Sequence, residues 1–383
     1  MAAFFKTRFT FRADRFSPIT RRRLAVFRAN RRARVSLWLF LALFVVSIGA
    51  ELIANDKPLV MHYDGQWYVP LLVDYPETEF GGFLPTTADY HDPFVQAQIE
   101  ENGWALWPPI PFSYQTLDMQ MMQPSPAPPD ARHWLGTDDQ GRDVLARVIY
   151  GFRLSVAFAL VLTAGSLVMG VLVGGIQGYF GGKTDLIGQR FTEIWSGLPV
   201  LFLLIILASF VQPGFWWLLG IMLLFSWLGL VDVVRAEFLR ARNLEYVRAA
   251  RAMGLPPRLI MWRHVLPNAM VATLTFVPFL FTGAITTLTA LDFLGFGLPP
   301  GSPSLGELVA QGKNNLHAPW LGITAFVSLS LMLSLLVFIG EGLRDAFDPR
   351  HVRHAATPVP AATGSAKAQT TGTQAAARSQ TDA

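Results

Sequence analysis

The residue patterns that usually carry enzyme chemistry are incomplete or missing in this sequence. Residues 178–185 (GYFGGKTD) end like a phosphate-binding loop, but that loop requires GxxxxGK[ST], and Gln177 stands five positions before Gly182. The seven histidines form no HExxH pair, and the HxxH pair of His351 and His354 lies beyond the last apolar stretch. The chain has no cysteine and no GxSxG nucleophile motif. We therefore predict no catalytic residue, no metal site and no cofactor bound by this chain.

One polar segment, residues 245–268 (EYVRAARAMGLPPRLIMWRHVLPN), interrupts the apolar sequence and has the composition of a contact surface. Its first part is rich in helix formers, Gly254 is placed to end that helix, and the Pro-Pro pair that follows suits the start of a second helix. By helical spacing we expect Ala249, Ala250 and Met253 to share one face. The residues alone leave two interpretations open: a basic helix on anionic lipid, or a dock for another protein.

Long apolar stretches must position this segment. Hydrophobic residues make up 52% of the 383 residues and charged residues only 15%, which is typical of a membrane protein. A membrane span requires about 20 apolar residues. Residues 194–231 carry no charge and are too long for one span, and the turn residues Gln212-Pro213-Gly214 divide them. The predicted fold is an all-α membrane protein with six transmembrane helices, at residues 35–53, 154–176, 194–211, 215–234, 269–291 and 320–340.

The distribution of charge predicts the orientation of these spans. Residues 1–34 contain eleven basic residues and one acid, so this N-terminal segment is expected in the cytoplasm. Residues 58–130 contain ten acids and no Lys or Arg, and we expect them outside; residues 235–263 contain seven arginines and two glutamates, and we expect them inside. With six spans, both termini of this multi-pass membrane protein are expected in the cytoplasm.

The segments outside the spans have distinct characters. Residues 54–132 are predicted to form a small periplasmic insert that starts with a hairpin turning at Asp64-Gly65. The tail, residues 351–383, lacks the apolar content to fold and is expected to be disordered. Two questions stay open. The tryptophans and Tyr68 of the insert form either its core or a contact with a partner (Trp67, Tyr68, Trp104, Trp107), and the GxxxG pattern at residues 170–174 is either a close helix contact or ordinary membrane glycine usage.

The polar segment resembles the cytoplasmic EAA loop of ABC-importer permeases, whose pattern is E-A-A-x3-G, nine residues, then I-x-L-P. The positions that match are Ala249, Ala250, Gly254, Leu266 and Pro267. Arg248 replaces the glutamate and His264 replaces the isoleucine. Both departures fit the oligopeptide/dipeptide/nickel family, in which YVxAARAxG and RHxLPN recur.

Further motifs between residues 133 and 350 carry the same resemblance. Residues 133–151 (HWLGTDDQGRDVLARVIYG) are similar to the family's HPLGTDxxGRDVLSRLIYG, and residues 340–350 (GEGLRDAFDPR) are close to its GDGLRDALDPR. The first motif supplies the periplasmic or structural positions Gly136, Asp138, Gly141, Arg142 and Asp143. The chain resembles the C-type permease subunit, and its long acidic insert resembles the Yej-type permeases of microcin C and peptide uptake.

This resemblance implies a type I ABC-importer permease fold, with residues 133–350 as the permease domain, and import of peptides as the function. It implies partners: a B-type second permease subunit, two ABC ATPase domains that use ATP-Mg, a periplasmic solute-binding protein and membrane lipid, but no nucleic acid. The residues implied to dock the ATPase are Glu245, Tyr246, Arg248, Ala249, Ala250, Arg251, Met253, Gly254, Arg263, His264 and Pro267. Three alternatives stay open: a permease for nickel or another small solute, an ion-driven transporter, and a membrane enzyme.

Overall fold

The computed structural model describes residues 18–347 except 122, 209, 212 and 213. The predictions for the tail, for the His351/His354 pair and for the break at Gln212-Pro213 lie outside the described residues. The described elements, in chain order, are α1 Pro18–Ala29, α2 Arg31–Ile48, α3 Ala50–Ile53, β1 Val60–Tyr63, β2 Gln66–Tyr68, a 3-10 helix Glu77–Phe80, α4 Pro93–Asn102, β3 Gly103–Leu106, α5 Val144–Phe180, α6 Gly182–Ser196, α7 Val200–Ala208, α8 Phe215–Ser226, α9 Leu228–Ala241, α10 Glu245–Ala252, α11 Pro257–Ile260, α12 Leu266–Phe293, α13 Leu305–Asn314 and α14 Pro319–Phe347. A π-helical turn, Met261–Val265, joins α11 to α12 without a break.

The fold is mostly helical, as predicted. Within the described residues, four helices are long and apolar enough to cross a membrane, namely Val144–Phe180, Phe215–Ala241, Pro257–Phe293 and Pro319–Phe347. A fifth candidate is the bent pair Gly182–Ser196 and Val200–Leu207, whose axes differ by 61°. The sequence predicted one straight span over residues 194–211, whereas the structure divides that segment at Gly197-Leu198-Pro199, where glycine and proline interrupt the helix.

The predicted first span, residues 35–53, falls on α2 and the short α3, which are separated at Gly49 and are not among the candidate membrane-crossing helices of the described chain. α2 has 18 residues and begins with three arginines within its first four positions. Asn30 caps it, and its side-chain oxygen accepts a hydrogen bond from the Ala33 amide at 3.2 Å. The helix therefore begins with basic residues and continues with apolar ones, in agreement with the basic segment predicted before residue 35.

Glycines allow α5 to lie directly against α8 and α9. A Cβ added at Gly170 would lie 2.8 Å from Leu230 Cβ, and one added at Gly174 would lie 2.6 Å from the Val231 carbonyl oxygen. A Cβ at Gly178 would meet the Arg235 carbonyl oxygen at 2.5 Å. The question about the GxxxG pattern is settled in favour of a close helix contact.

The helices have two distinguishable ends. The insert end carries residues 54–143 and the start of α5; there Tyr150 Oη donates to the Ala54 carbonyl at 3.0 Å. The arginine end carries residues 235–263, where α10 packs under α5, α9 and α12.

The insert has its own sheet and core. Its strands pair antiparallel in the order β2-β1-β3, and Tyr63 pairs with Gln66 across the Asp64-Gly65 turn. Both turn residues have positive φ, 45° and 78°, so the predicted two-residue hairpin is confirmed. The aromatic residues divide between two roles: Tyr68 joins the core with Met61, Phe80 and Tyr90, whereas Trp67 and Trp104 are exposed and touch edge to face at 5.7 Å.

Candidate functional site

The helix α10 is short because its last turn is closed by Gly254. This glycine has φ of 76°, and its N–H donates to the Arg251 carbonyl at 2.9 Å, while the Leu255 N–H donates to the Ala250 carbonyl at 3.2 Å. This pair of hydrogen bonds is the Schellman arrangement, which requires a left-handed residue and therefore favours glycine. The predicted helix end at Gly254 is confirmed, and α11 begins at the second of the two prolines, as predicted.

One face of α10 belongs to the core of the chain. Val247 and Ala250 are 0% and 1% exposed, and they pack with Phe238 of α9, Tyr179 of α5 and Val265 before α12. The expectation that Ala250 shares an accessible face with Ala249 and Met253 is wrong. Positions 247 and 250 are three residues apart and share one helix face, so Ala250 turns inward while Ala249 turns outward.

The opposite face of α10 and the turns that follow it are accessible. Met253 is 72% exposed. The other implied docking residues with exposed side chains are Glu245, Tyr246, Arg248, Ala249, Arg251, Arg263 and Pro267. His264 is half-buried. The accessible surface thus combines arginines with small and apolar side chains, and we call it the α10 surface.

Polar contacts fasten the α10 surface to the long helices. Tyr246 Oη accepts from Asn268 Nδ2 of α12 at 2.6 Å and donates to the His264 carbonyl at 3.3 Å. The Arg251 guanidinium lies 5.0 Å from the centre of the Tyr179 ring, over its face. These contacts attach α10 to α12 and to the end of α5.

At the insert end, the predicted motif forms the entry to α5. Asp143 caps this helix by accepting from the Ala146 amide at 2.7 Å. Gly136 and Gly141 have φ of 76° and 85°, so both positions need a residue that tolerates the left-handed region. The Gly136 site is also crowded, because an added Cβ would lie 2.7 Å from the Ala127 carbonyl oxygen.

Three residues of this motif, Asp138, Arg142 and Arg147, belong to a buried ion network. Arg142 Nε donates to Asp138 Oδ2 at 2.7 Å, and Arg142 Nη2 lies 3.1 Å from Glu307 Oε1. Arg147 Nη2 donates to Glu307 Oε2 at 2.9 Å and to the Ser302 carbonyl at 3.0 Å. Sequence reasoning identified Asp138 and Arg142 but missed Arg147 and Glu307. Arg147 lies within the motif at residues 133–151, and its charge inside an otherwise apolar helix was a second available signal.

The same motif holds a buried histidine between two carboxylates. His133 Nδ1 lies 2.8 Å from Asp143 Oδ2, and Nε2 lies 3.2 Å from Asp118 Oδ2. Burial by itself lowers the pKa of His133, but the hydrogen bonds and charges of Asp143 and Asp118 outweigh it, so the net pKa is raised. The fold therefore favours the imidazolium form more than the unfolded chain does, and His133 connects the cap of α5 to the loop that contains Asp118.

We expect His133 to make the stability of the protein depend on pH. Because the pKa in the fold is above the ordinary value of 6.5, the stabilisation is complete below about pH 6.5 and is lost as the pH rises through the raised pKa. The melting temperature of the wild type should exceed that of His133→Gln at pH 6, and the difference should shrink by pH 9. The exposed His317→Gln serves as control. A difference between wild type and His133→Gln that is constant across this range would contradict the charge assignment.

Comparisons with known proteins agree with this architecture. Residues 149–353 match the family model described as binding-protein-dependent transport system inner membrane component. The chain is 62% identical over 336 residues to the inner membrane ABC transporter permease protein YejE of Escherichia coli (strain K12), covering 88% of this chain and 98% of that protein. It is 60% identical to the peptidoglycan transport system permease protein YejE of Agrobacterium fabrum (strain C58 / ATCC 33970), over 88% of this chain and 94% of the relative.

A third relative is less similar to this chain. The oligopeptide transport system permease protein OppC of Lactococcus lactis subsp. lactis (strain IL1403) is 36% identical over 239 residues, which cover 61% of this chain and 81% of that protein. These matches, together with the apolar helices, identify a multi-pass protein of the inner membrane. The chain belongs to the family of binding-protein-dependent transport system inner membrane components.

Proposed function

We propose that this chain is the C-type permease subunit of an ATP-driven importer that carries peptides or peptide-containing fragments of peptidoglycan into the cell. The names of the relatives support this class of solute, since one is a peptidoglycan transport permease and another an oligopeptide transport permease. Nickel or another small solute is the alternative within the same family. The chain itself binds no cofactor in this proposal; ATP-Mg is used by separate ATPase domains.

The observation that carries the proposal is the construction of α10. One face is fixed in the core by Val247 and Ala250, and the other face is accessible. A helix on a lipid surface would be expected to bury its apolar face in lipid and to keep arginines in water. Here the apolar face is already covered by the chain, and the accessible face mixes charge with Ala249 and Met253. Such a surface suits a groove on another protein, and we assign it to the ATPase.

Several contacts support six crossings in a type I permease arrangement. The start of α2 lies beside the end of α14, where Asn30 Nδ2 is 3.5 Å from Asp345 Oδ2. The bent pair α6–α7 begins at the arginine end, where Asp185 pairs with Arg235. It then crosses to the insert end, where Ile205 of α7 lines a cavity together with Asp139 and Gln140. With α2 included, the termini of the described chain lie on one side, which an even number of spans requires. The arginine end is then cytoplasmic and the insert periplasmic.

A surface for the second permease subunit is also available. α6 buries none of its side chains within the described chain, although Ile187, Phe191 and Ile194 are large and apolar. Lipid covers part of such a surface in any membrane protein. We assign the remainder to a B-type partner, because a single subunit cannot enclose a path for a peptide.

Ala249→Glu is expected to separate transport from ATP hydrolysis. The Ala249 side chain faces outward, so the variant should fold and enter the membrane, but a long carboxylate on the α10 surface should weaken ATPase docking by about tenfold or more. The measurements are co-purification of the ATPase and ATP hydrolysis stimulated by the loaded binding protein.

Two further variants of α10 act as controls. Ala249→Ser keeps the side chain small and should retain both activities. Ala250→Glu places a charge in the core and should reduce the amount of folded protein, because an unpaired buried charge is costly. Unchanged ATPase co-purification and hydrolysis in Ala249→Glu would refute the docking assignment.

The proposed function is tested by uptake into proteoliposomes that contain the complete transporter and its binding protein. Labelled tripeptide and labelled Ni²⁺ are offered separately, with ATP and with the non-hydrolysed analogue inside. Peptide accumulation that requires ATP supports the proposal. Accumulation of Ni²⁺ alone favours the alternative, accumulation driven by an ion gradient without ATP indicates a secondary transporter, and conversion of the peptide by the purified chain alone indicates an enzyme.

A further inference from the structure

A cavity of about 740 Å³ opens at the insert end, beside the ion network. Its walls come from the loop before α5, from α7, from the α12–α13 connection and from α13. Three carboxylates line it, those of Asp139, Asp292 and Glu307. The predicted motif supplies Asp139, but the function proposed above assigns no role to this side chain.

The charges around the cavity do not balance. Arg142 and Arg147 are matched by Asp138 and Glu307, with which they form the buried network. Asp139 and Asp292 therefore remain as additional acids. Asp292 has polar but uncharged partners: the Leu298 amide donates to its Oδ1 at 2.7 Å, and Ser304 Oγ donates to its Oδ2 at 2.5 Å.

A lysine also lies beside this cavity, over the ring of one of its lining residues. The Nζ of Lys313 lies over the Phe293 ring, 5.3 Å from its centre. By count, four carboxyl groups around the cavity (Asp138, Asp139, Asp292 and Glu307) face three cations (Arg142, Arg147 and Lys313), so the acids outnumber the cations among the described residues.

A buried side chain supplies an independent sign of a missing donor. Gln311 is 5% exposed and lines the same cavity. Its Nε2 donates to Glu307 Oε1 at 3.2 Å, which leaves Oε1 as the free end, and this buried oxygen has no hydrogen-bond partner among the described residues. Buried carbonyl oxygens without a donor are rare and costly, and a bound donor removes that cost.

We propose that this cavity binds a primary ammonium group of the transported solute, namely the free α-amino terminus of a peptide. An ammonium group has three N–H donors and one positive charge, and the cavity offers carboxylates and an unsatisfied carbonyl oxygen. No group of three or more His, Asp or Glu side chains arranged for a metal ion occurs in the described part of the chain, so an organic cation suits the cavity better. The inference rests on the proposed function and adds a site of selection within the permease.

The test compares one imported tripeptide with its N-acetylated form in the reconstituted complete transporter, at saturating loaded binding protein. We expect the wild type to import the free-amine peptide faster than the acetylated one. Asp139→Asn should lower the free-amine rate by about tenfold, which is the loss of one charge-assisted hydrogen bond, and leave the acetylated rate unchanged. Glu101→Gln, which removes an exposed carboxylate of the insert helix α4, should keep both wild-type rates.

Three results would overturn the inference. One is an unchanged ratio of the two rates in Asp139→Asn. Another is an equal fall of both rates. The third is reduced co-purification of the second permease subunit, which would make the cavity a subunit contact. If the wild type imports neither peptide with ATP, the proposed function itself fails, which is distinguishable from a transporter that works but does not discriminate.

Discussion

Arg147→Met is expected to destabilise the protein by about 3–5 kcal/mol, which is the usual cost of removing one partner from a buried ion pair. Arg147 is 0% exposed and lies between Asp138 and Glu307, at 3.4 Å and 2.9 Å. Its loss leaves these two carboxylates with Arg142 as their remaining cation. The measurement is the free energy of unfolding in detergent, or the melting temperature where unfolding is irreversible.

A second arginine on the same helix provides a matched control. Arg153 pairs with Glu51 at 2.7 Å, but the two side chains are 33% and 45% exposed. Exposed pairs contribute about 0–1 kcal/mol, so Arg153→Met should change stability by no more than that. If both variants lose the same free energy of unfolding, then the ion network does not connect α5 to α13 in the way that the distances indicate.

Gly174→Leu is expected to prevent α5 from packing on α9. Even a Cβ at this position would lie 2.6 Å from the Val231 carbonyl oxygen and 3.2 Å from the Arg235 amide nitrogen. Backbone atoms of a packed helix cannot shift locally, so the two helices must separate along their contact. We expect a loss of more than about 3 kcal/mol, the upper end for overpacking of a core. Most of the protein should then fail to purify as a single species.

The control for this substitution is Gly220→Leu in α8. Gly220 also lies in an apolar helix, but an added Cβ there meets no heavy atom within 4 Å. Fluorescence-detected size-exclusion chromatography of both variants, with melting temperatures of the recovered protein, measures the difference. If the two variants yield the same amount of folded protein, then the α5–α9 contact is looser than described.

At α10, the ends of the helix were predictable from the sequence and its buried face was not. The sequence identified the helix, its end at Gly254 and the proline that starts α11, because caps and proline act within a few residues of themselves. It did not identify the buried face. Ala249 and Ala250 are equally small, and which of them points inward depends on where α5, α9 and α12 lie. The same limit made Ala250 look like an accessible docking residue.

At the insert end, too, local motifs were predictable from the sequence and long-range partners were not. The motif that contains Asp138 and Arg147 was visible in the sequence. Glu307, the carboxylate that pairs with Arg147, lies 160 residues away and has no local signal. The aromatic residues of the insert followed the alternation of a strand, which separates Tyr68 from Trp67 but does not say which of the two faces is covered. Only the packing of Phe80 and Tyr90 against the sheet decided that Tyr68 is buried.

By itself, the sequence determined the membrane class, the positions of four long apolar helices, the hairpin turn, the end of α10 and the family, since composition, caps, turns and motifs are properties of neighbouring residues. The tertiary structure decided which face of α10 is available, which glycines are contact points, where the helix of residues 194–211 bends, and which acids lie without a matching cation around the cavity. These features depend on residues far apart in the chain, and their energies arise only when the helices pack and exclude water from the charges between them.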